Sequence, residues 1–269
     1  CCAGVDPKAG DAPYFHESGD APYFLLGTTD RIGDDRIGDA PYFLLGTTKS
    51  AGDRWTFMPR TARFIVPCVP LHILQRGHNR CPCFVEASDY DLYLRLLEQF
   101  SHLHGCRVHA YALMTNHIHL LATPERADSA SEMMRSVNQR YVQAMNRRLG
   151  RSGTLWEGRF RSSLVDSESY LFVCHRYLEM NPVRARMVSF PGQYPWSSYR
   201  VNAEGARSSL VVAHSLFQDL GVDPPARQTQ YRSMFDTPLS LLQLDSVRRA
   251  IKTDRPLGGQ AFVARLGLQ

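Results

Sequence analysis

Lysine is almost absent from this 269-residue chain: Lys8, Lys49 and Lys252 stand among 31 basic residues, and all the others are arginines. A guanidinium is a rigid fork of donors that fits phosphate oxygens and guanine edges, so this bias points toward nucleic acid rather than a small-molecule substrate. Long apolar runs are also missing. No segment approaches the roughly twenty residues that a membrane-spanning helix needs, and the start at Cys1 has no secretory pattern. Paired cysteine spacings are scarce as well. Of seven cysteines only Cys81 and Cys83 lie close together in the middle of the chain, and no second pair follows them, which argues against a zinc ribbon. Cys81, Cys83, His104 and Cys106 remain an alternative set for structural zinc. Reduced thiols and a cytoplasmic, nucleoid-associated protein are the expectation.

Charge is unevenly placed. Residues 1–53 hold four basic and nine acidic side chains, a net of −5, while the remainder holds 27 basic and 17 acidic, a net of +10. The amino-terminal segment is unusual in another way: Gly-Asp-Ala-Pro-Tyr-Phe occurs three times, and Asp20 to Thr29 returns residue for residue at Asp39 to Thr48. A packed repeat drifts except at its packing positions, whereas an unblurred copy reads as recent duplication of DNA. Residues 1–55 are therefore expected to be disordered or spurious and to contribute nothing to the fold. The positive field belongs to the rest, where Arg76, Arg140, Arg147, Arg148, Arg159 and Arg161, with Trp156 as a stacking platform for unpaired bases, are the candidate DNA-binding residues.

The chemistry concentrates in two short runs, Asn116-His117-Ile118-His119-Leu120-Leu121 and Tyr177-Leu178-Glu179-Met180-Asn181-Pro182. Apolar residues on both sides of the first predict two strands around a turn at Thr115-Asn116. On a strand His117 and His119 share one face while Ile118 enters the core. Two adjacent imidazoles can grip one divalent cation. On a helix Tyr177 and Asn181 point the same way, which offers a phenol nucleophile and an amide oxygen as a third ligand. Such a set suits metal-assisted attack on a phosphodiester. His102-Leu103-His104 repeats the spacing but lies at the end of a helical pattern, where i and i+2 diverge. Tyr141 and Tyr170 are rival tyrosines, and of the three Tyr177 alone has an oxygen-donor side chain, Asn181, four positions on.

The stretch from about Arg63 to Arg200 resembles the REP-associated tyrosine transposases, a branch of the single-tyrosine transposases in the His-hydrophobe-His nuclease superfamily. Five blocks carry the resemblance: Val69 to Gly77, Met114 to Leu121, Gly153 to Phe160, Arg176 to Ala185 and Tyr194 to Tyr199. It implies that His117 and His119 are paired metal ligands and Tyr177 the nucleophile. Asn181 stands where related insertion-sequence transposases carry a glutamine that completes the metal site. Mg2+ or Mn2+ is the implied cation, since a carbonyl oxygen and phosphate oxygens favour hard ions.

The predicted order begins with strands at 64–69 and 71–75, a helix at 88–104, and strands at 107–114 and 117–123. A helix at 129–149 and the Tyr177 helix follow. That order is compatible with an α+β, ferredoxin-like sandwich on a central antiparallel sheet, the fold the resemblance implies. Residues 56–201 make the expected catalytic domain, and 202–269 a helical extension with helices at 239–252 and 261–266. The expected function is metal-dependent cleavage and transfer of single-stranded DNA at REP-like hairpins through a 5′-phosphotyrosine, by a monomer rather than a dimer, with no membrane partner. A non-cutting hairpin-binding regulator, a rolling-circle replication initiator and a zinc-stabilised structural protein are the alternatives.

Overall fold

Short apolar-rich runs broken by turn residues set up the sheet of the computed structural model, which describes residues 63–268. The repeat segment and its expected disorder lie outside the described residues. Strand β1 is Leu71–Arg76, helix α1 Ala87–Leu103, β2 Cys106–Met114, β3 His117–Pro124, α2 Ser129–Arg148, β4 Arg161–Leu164 and α3 Ser167–Glu179. Then come α4 (Asn181–Arg184), α5 (Tyr199–Glu204), α6 (Ser215–Gln218), α7 (Pro224–Ser233), α8 (Leu241–Thr253) and α9 (Gln260–Arg265). The sheet order is β2-β3-β1-β4, and every strand pairs antiparallel. This is the α+β, ferredoxin-like arrangement expected from the sequence.

Period-two alternation divides the sheet into two faces. Ile73, Ile118 and Leu120 join residues of α1 and α2 in the larger apolar core, with Tyr93, Leu97, Met133, Val137 and Tyr141. On the opposite face Ala110 and Leu121 join Leu171, Cys174 and Leu178 of α3 and Val247 and Ala250 of α8. Each large apolar side chain so buried contributes about 1.5–3 kcal/mol. Helix α1 is stopped by Gly105, whose φ of +61° is strained for residues with a Cβ. Its start is tied to the end of α2, because Asp89 accepts from the Val85 and Glu86 amides and Arg148 pairs with Glu86 and Asp89.

Three differences from the sequence expectation have physical causes. Residues 64–69 form no strand: Pro67 and Pro70 lack the amide donors of a ladder, and Cys68 between them turns at φ 62°. Strand β4 was not expected, since Arg161-Ser162-Ser163-Leu164 is short and polar; it pairs with β1 through Leu71↔Leu164 and Ile73↔Ser162. The Tyr177 helix ends at Glu179, and Asn181 opens the next short helix, so the two residues expected on one helix lie on two. Among the described residues no helix is long and apolar enough to cross a membrane.

Candidate active site

The pairing of β1 with β3 sets His119 opposite Leu74 and His117 opposite Arg76, so His72, Leu74, Arg76, His117 and His119 share one face of the sheet. Helix α3 packs over that face and brings the Tyr177 ring to 5.8 Å from both His72 and His119. The two β3 imidazoles lie 5.0 Å apart, nearly perpendicular. A cavity of about 710 Å³ opens here. His117, His119, Tyr177 and Asn181 line it together with Arg76, Arg159 and Arg161. The residues that the sequence separates by sixty positions therefore meet at one surface.

The hydrogen bonds of the imidazoles decide what they can do. Nδ1 of His117 lies 2.7 Å from Oδ1 of Asn116. An amide oxygen only accepts, so the proton sits on Nδ1 and Nε2 keeps a free lone pair. Nδ1 of His119 lies 2.8 Å from Nε2 of His72, which leaves Nε2 of His119 as its remaining ring nitrogen. Burial holds both imidazoles neutral: His117 is pushed down to about 4, with Arg76 adding to the effect, and His119 falls well below the ordinary histidine range. Neutral rings anchored at one nitrogen by a neighbour are what a divalent cation needs from histidine. The Asn181 side chain has a buried amide nitrogen without a hydrogen-bond partner. That amide is turned into no protein contact, and the same side chain rotated by a half-turn offers a carbonyl oxygen to a hard cation. Two imidazoles and an amide fit a magnesium- or manganese-type centre. Among the described residues no group of three His, Cys, Asp or Glu side chains is placed to hold a metal. Cys81 is exposed, while Cys83 and Cys106 are buried, and the alternative zinc set is not gathered.

The rival candidates have other employment. Tyr141 is buried and donates to the Cys83 carbonyl at 2.7 Å. Tyr170 packs with the α3–α8 cluster. His102 meets the Ser209 carbonyl and His104 the Ser136 hydroxyl. Trp156 is only 5% exposed and packs edge-on to Tyr93, so it has no face to offer a base; Phe160 beside it is likewise buried under Arg63. Arg148 is held by Glu86 and Asp89, and Arg140 and Arg147 are exposed on α2, away from the cavity lining. Of the seven DNA-binding candidates, Arg76, Arg159 and Arg161 reach the cavity.

Over residues 66–181, just the span that builds this cavity's floor and supplies Tyr177 and Asn181, the chain matches the family described as "Transposase IS200 like". This part of the chain is an IS200-like transposase domain. The match supports a transposase-type, DNA-processing role for this part of the chain. Among solved structures, the chain is similar to a REP-associated tyrosine transposase bound to a REP hairpin, at 18% identity with a TM-score of 0.47, covering 58% of this chain and 93% of that one. A second similar structure, a putative transposase from Deinococcus radiodurans, has 17% identity and a TM-score of 0.32, covering 51% and 98%. No curated protein sequence matches the chain.

The transposase domain's site extends beyond the matched span, and here sequence reasoning missed several residues. Arg248, Ile251 and Lys252 of α8 wall the cavity, as do Glu157 and Gly158. The loop bearing them is held by Gln75, whose Nε2 donates to the Gly158 carbonyl at 2.8 Å. Gly77 permits the tight turn after β1, where a Cβ would meet the Cys81 carbonyl at 2.4 Å. His72 lies in the Val69 to Gly77 block, and period-two alternation with Arg76, a candidate DNA-binding residue, is the sequence signal that sets it on the same strand face. Glu179 was also passed over. It is fully buried and accepts from Ser198 at 2.6 Å, Asn202 at 2.8 Å and Tyr231 at 2.7 Å, a network that fastens α3 to α5 and α7. Burial pushes its carboxyl up to about 7 against the lowering effect of those donors.

Proposed function

We propose that the protein is a metal-dependent single-strand DNA endonuclease and strand transferase of the REP-associated tyrosine branch, acting on hairpin DNA as a monomer. The observation that carries this reading is the convergence of Tyr177, His117, His119 and Asn181 on one cavity whose walls supply Arg76, Arg159, Arg161, Arg248 and Lys252. All four chemical groups come from a single chain, which supports action without a second copy. When bound by His117, His119 and Asn181, Mg2+ or Mn2+ supplies neutralisation of charge on the scissile phosphate. The Tyr177 hydroxyl forms a bond from Oη to phosphorus, the bond from phosphorus to the 3′ oxygen breaks, the phenol proton passes to solvent, and the departing oxygen is protonated as a 3′-hydroxyl. Attack by the 3′-hydroxyl of another strand reverses these changes and releases Tyr177 without ATP. The arginines hold the backbone on either side of the reacting phosphate.

The test is a covalent adduct on denaturing gels after mixing the protein with a single-stranded REP-type hairpin and manganese. Wild type, Tyr141→Phe and Tyr170→Phe should form it and Tyr177→Phe should not. An adduct in Tyr177→Phe, or undiminished cleavage in EDTA, overturns the reading; binding without any cleavage favours a regulator.

A further inference from the structure

Arg184, at the end of α4, lies beside the nucleophile and not among the side chains that line the main cavity. Its guanidinium carbon sits 4.4 Å from the centroid of the Tyr177 ring, and its Nη2 donates to the Tyr177 backbone carbonyl. Among the described residues no carboxylate forms an ion pair with it. Burial lowers Arg184 to about 10; the Tyr177 phenol works against that fall, and Arg248, a second cation, adds to it. A half-buried cation facing another cation, with only a ring and a carbonyl as counterparts, is an unfavourable arrangement in the resting protein. It becomes favourable when negative charge appears on the ring it covers. That happens in the reaction itself, as the phenol loses its proton to phosphorus attack and again when the phenol oxygen leaves.

We infer that Arg184 is a positioning residue for Tyr177, which fixes the ring across the break between α3 and α4 and offsets the charge that develops on the phenol oxygen. The inference rests on Tyr177 being the nucleophile. Met180 separates the two helices, with Tyr177 in α3 and Asn181 in α4, so a side chain three residues after Asn181 that grips the Tyr177 carbonyl holds the two helices in one relative pose. In the covalent step the bond from Oη to phosphorus forms as the bond to the 3′ oxygen breaks, and Arg184 neither gains nor loses a proton.

The experiment uses the full chain with Arg184→Gln and Arg184→Lys, a single-stranded REP-type hairpin and manganese. Hairpin affinity, thermal midpoint and adduct-forming rate are followed from pH 6 to 10. Arg184→Gln should bind the hairpin as wild type does. Its adduct-forming rate near neutrality should fall about tenfold or more, and the rise of that rate with pH should move to higher pH. Arg184→Lys, which keeps a charge but not the fork, should recover part of the rate and of the profile. An unchanged rate and profile in Arg184→Gln overturns the inference. So does an equal loss at every pH that Arg184→Lys does not relieve, which is the signature of a structural prop alone. If Arg184→Gln does not fold, the profile of Arg184→Lys decides: it should lie alkaline of wild type, and a superimposable profile overturns the inference. A wild-type adduct lost in Tyr177→Phe but indifferent to Arg184 leaves the proposed function standing and removes this inference alone. No adduct in wild type removes both.

Discussion

Nε2 of His72 lies 2.8 Å from Nδ1 of His119, and the two rings stack with centroids 5.0 Å apart. Only one proton can occupy that contact. If His119 donates it, His119 keeps a lone pair on Nε2 for a cation, and His72 carries its own proton on Nδ1, the buried nitrogen that has no partner. In that arrangement His72 is the acceptor that leaves Nε2 of His119 open to a cation.

Replacing His72 by Phe keeps a flat ring but removes the acceptor. Affinity for manganese, read by calorimetric titration, is expected to weaken by about 10–100-fold, the usual cost of losing a partner behind a metal-bound histidine. Affinity equal to wild type would assign His72 to packing.

Binding to the hairpin should weaken with salt, with log affinity falling by about 0.7 per neutralised phosphate for each tenfold rise in salt. Because Arg248 and Lys252 line the cavity, Arg248→Gln and Lys252→Gln should each reduce that slope by about 0.7, whereas Arg148→Gln should leave it nearly untouched. Equal slopes in all three variants would place the strand elsewhere.

Trp156 sorts packing from recognition. Truncation to Ala should destabilise the fold by about 3–5 kcal/mol, the range for a large buried aromatic, measured by urea titration. Trp156→Phe should lose less, and the folded fraction of either variant should bind the hairpin normally. A variant of full stability and poor binding would restore the base-stacking role.

Glu179 has a pH signature. An unfolded glutamate titrates near 4.5 and the folded one near 7, so across that window the folded state holds a proton that the unfolded state has released. Stability from this group is therefore present below pH 4.5 and declines as pH rises toward 7, by about 3 kcal/mol in all. Buried His109 and His175, lowered to about 4 and about 3, act in the opposite direction, since the unfolded chain takes up their protons below about 6.5. Glu179→Gln removes one contribution without the others. The stability of that variant relative to wild type should increase from pH 4.5 to 7 and then level off; a difference that is flat with pH would mean Glu179 is ionised throughout.

The elements that sequence made legible are those with strong periodicity. Strands β1, β2 and β3 and helices α1 and α2 lie within one or two residues of their expected bounds because apolar alternation and helical spacing are written locally in them. The candidate set His117, His119, Tyr177 and Asn181 lies in two short motifs that sequence presents locally, and the structure gathers the four at one cavity. What was hidden depends on tertiary contact. Arg161-Ser162-Ser163-Leu164 is a strand only because β1 offers it an edge, Arg248 and Lys252 reach the cavity only because α8 packs under β1 and β4, and Trp156 looks like a surface aromatic until Tyr93 closes over it. Arg184 sits in a run that sequence assigned to the family pattern, with nothing local to say which ring its guanidinium would meet.

Neither rim of the sheet is left bare. Along β2, Leu113 donates to the Trp196 carbonyl, Tyr111 accepts from the Ser198 amide, and Val212 donates to the Val108 carbonyl. Along β4, Leu257 donates to the Leu164 carbonyl, Asp166 donates back to Leu257, and Ser163 donates to the Arg255 carbonyl. Both sets of clasps come from residues downstream of the matched transposase span. A sheet whose outer donors and acceptors are already engaged cannot zip onto a sister molecule. Deleting the carboxy-terminal third would uncover both seams at once, and the shortened protein should become sticky and self-associating before its core loses shape.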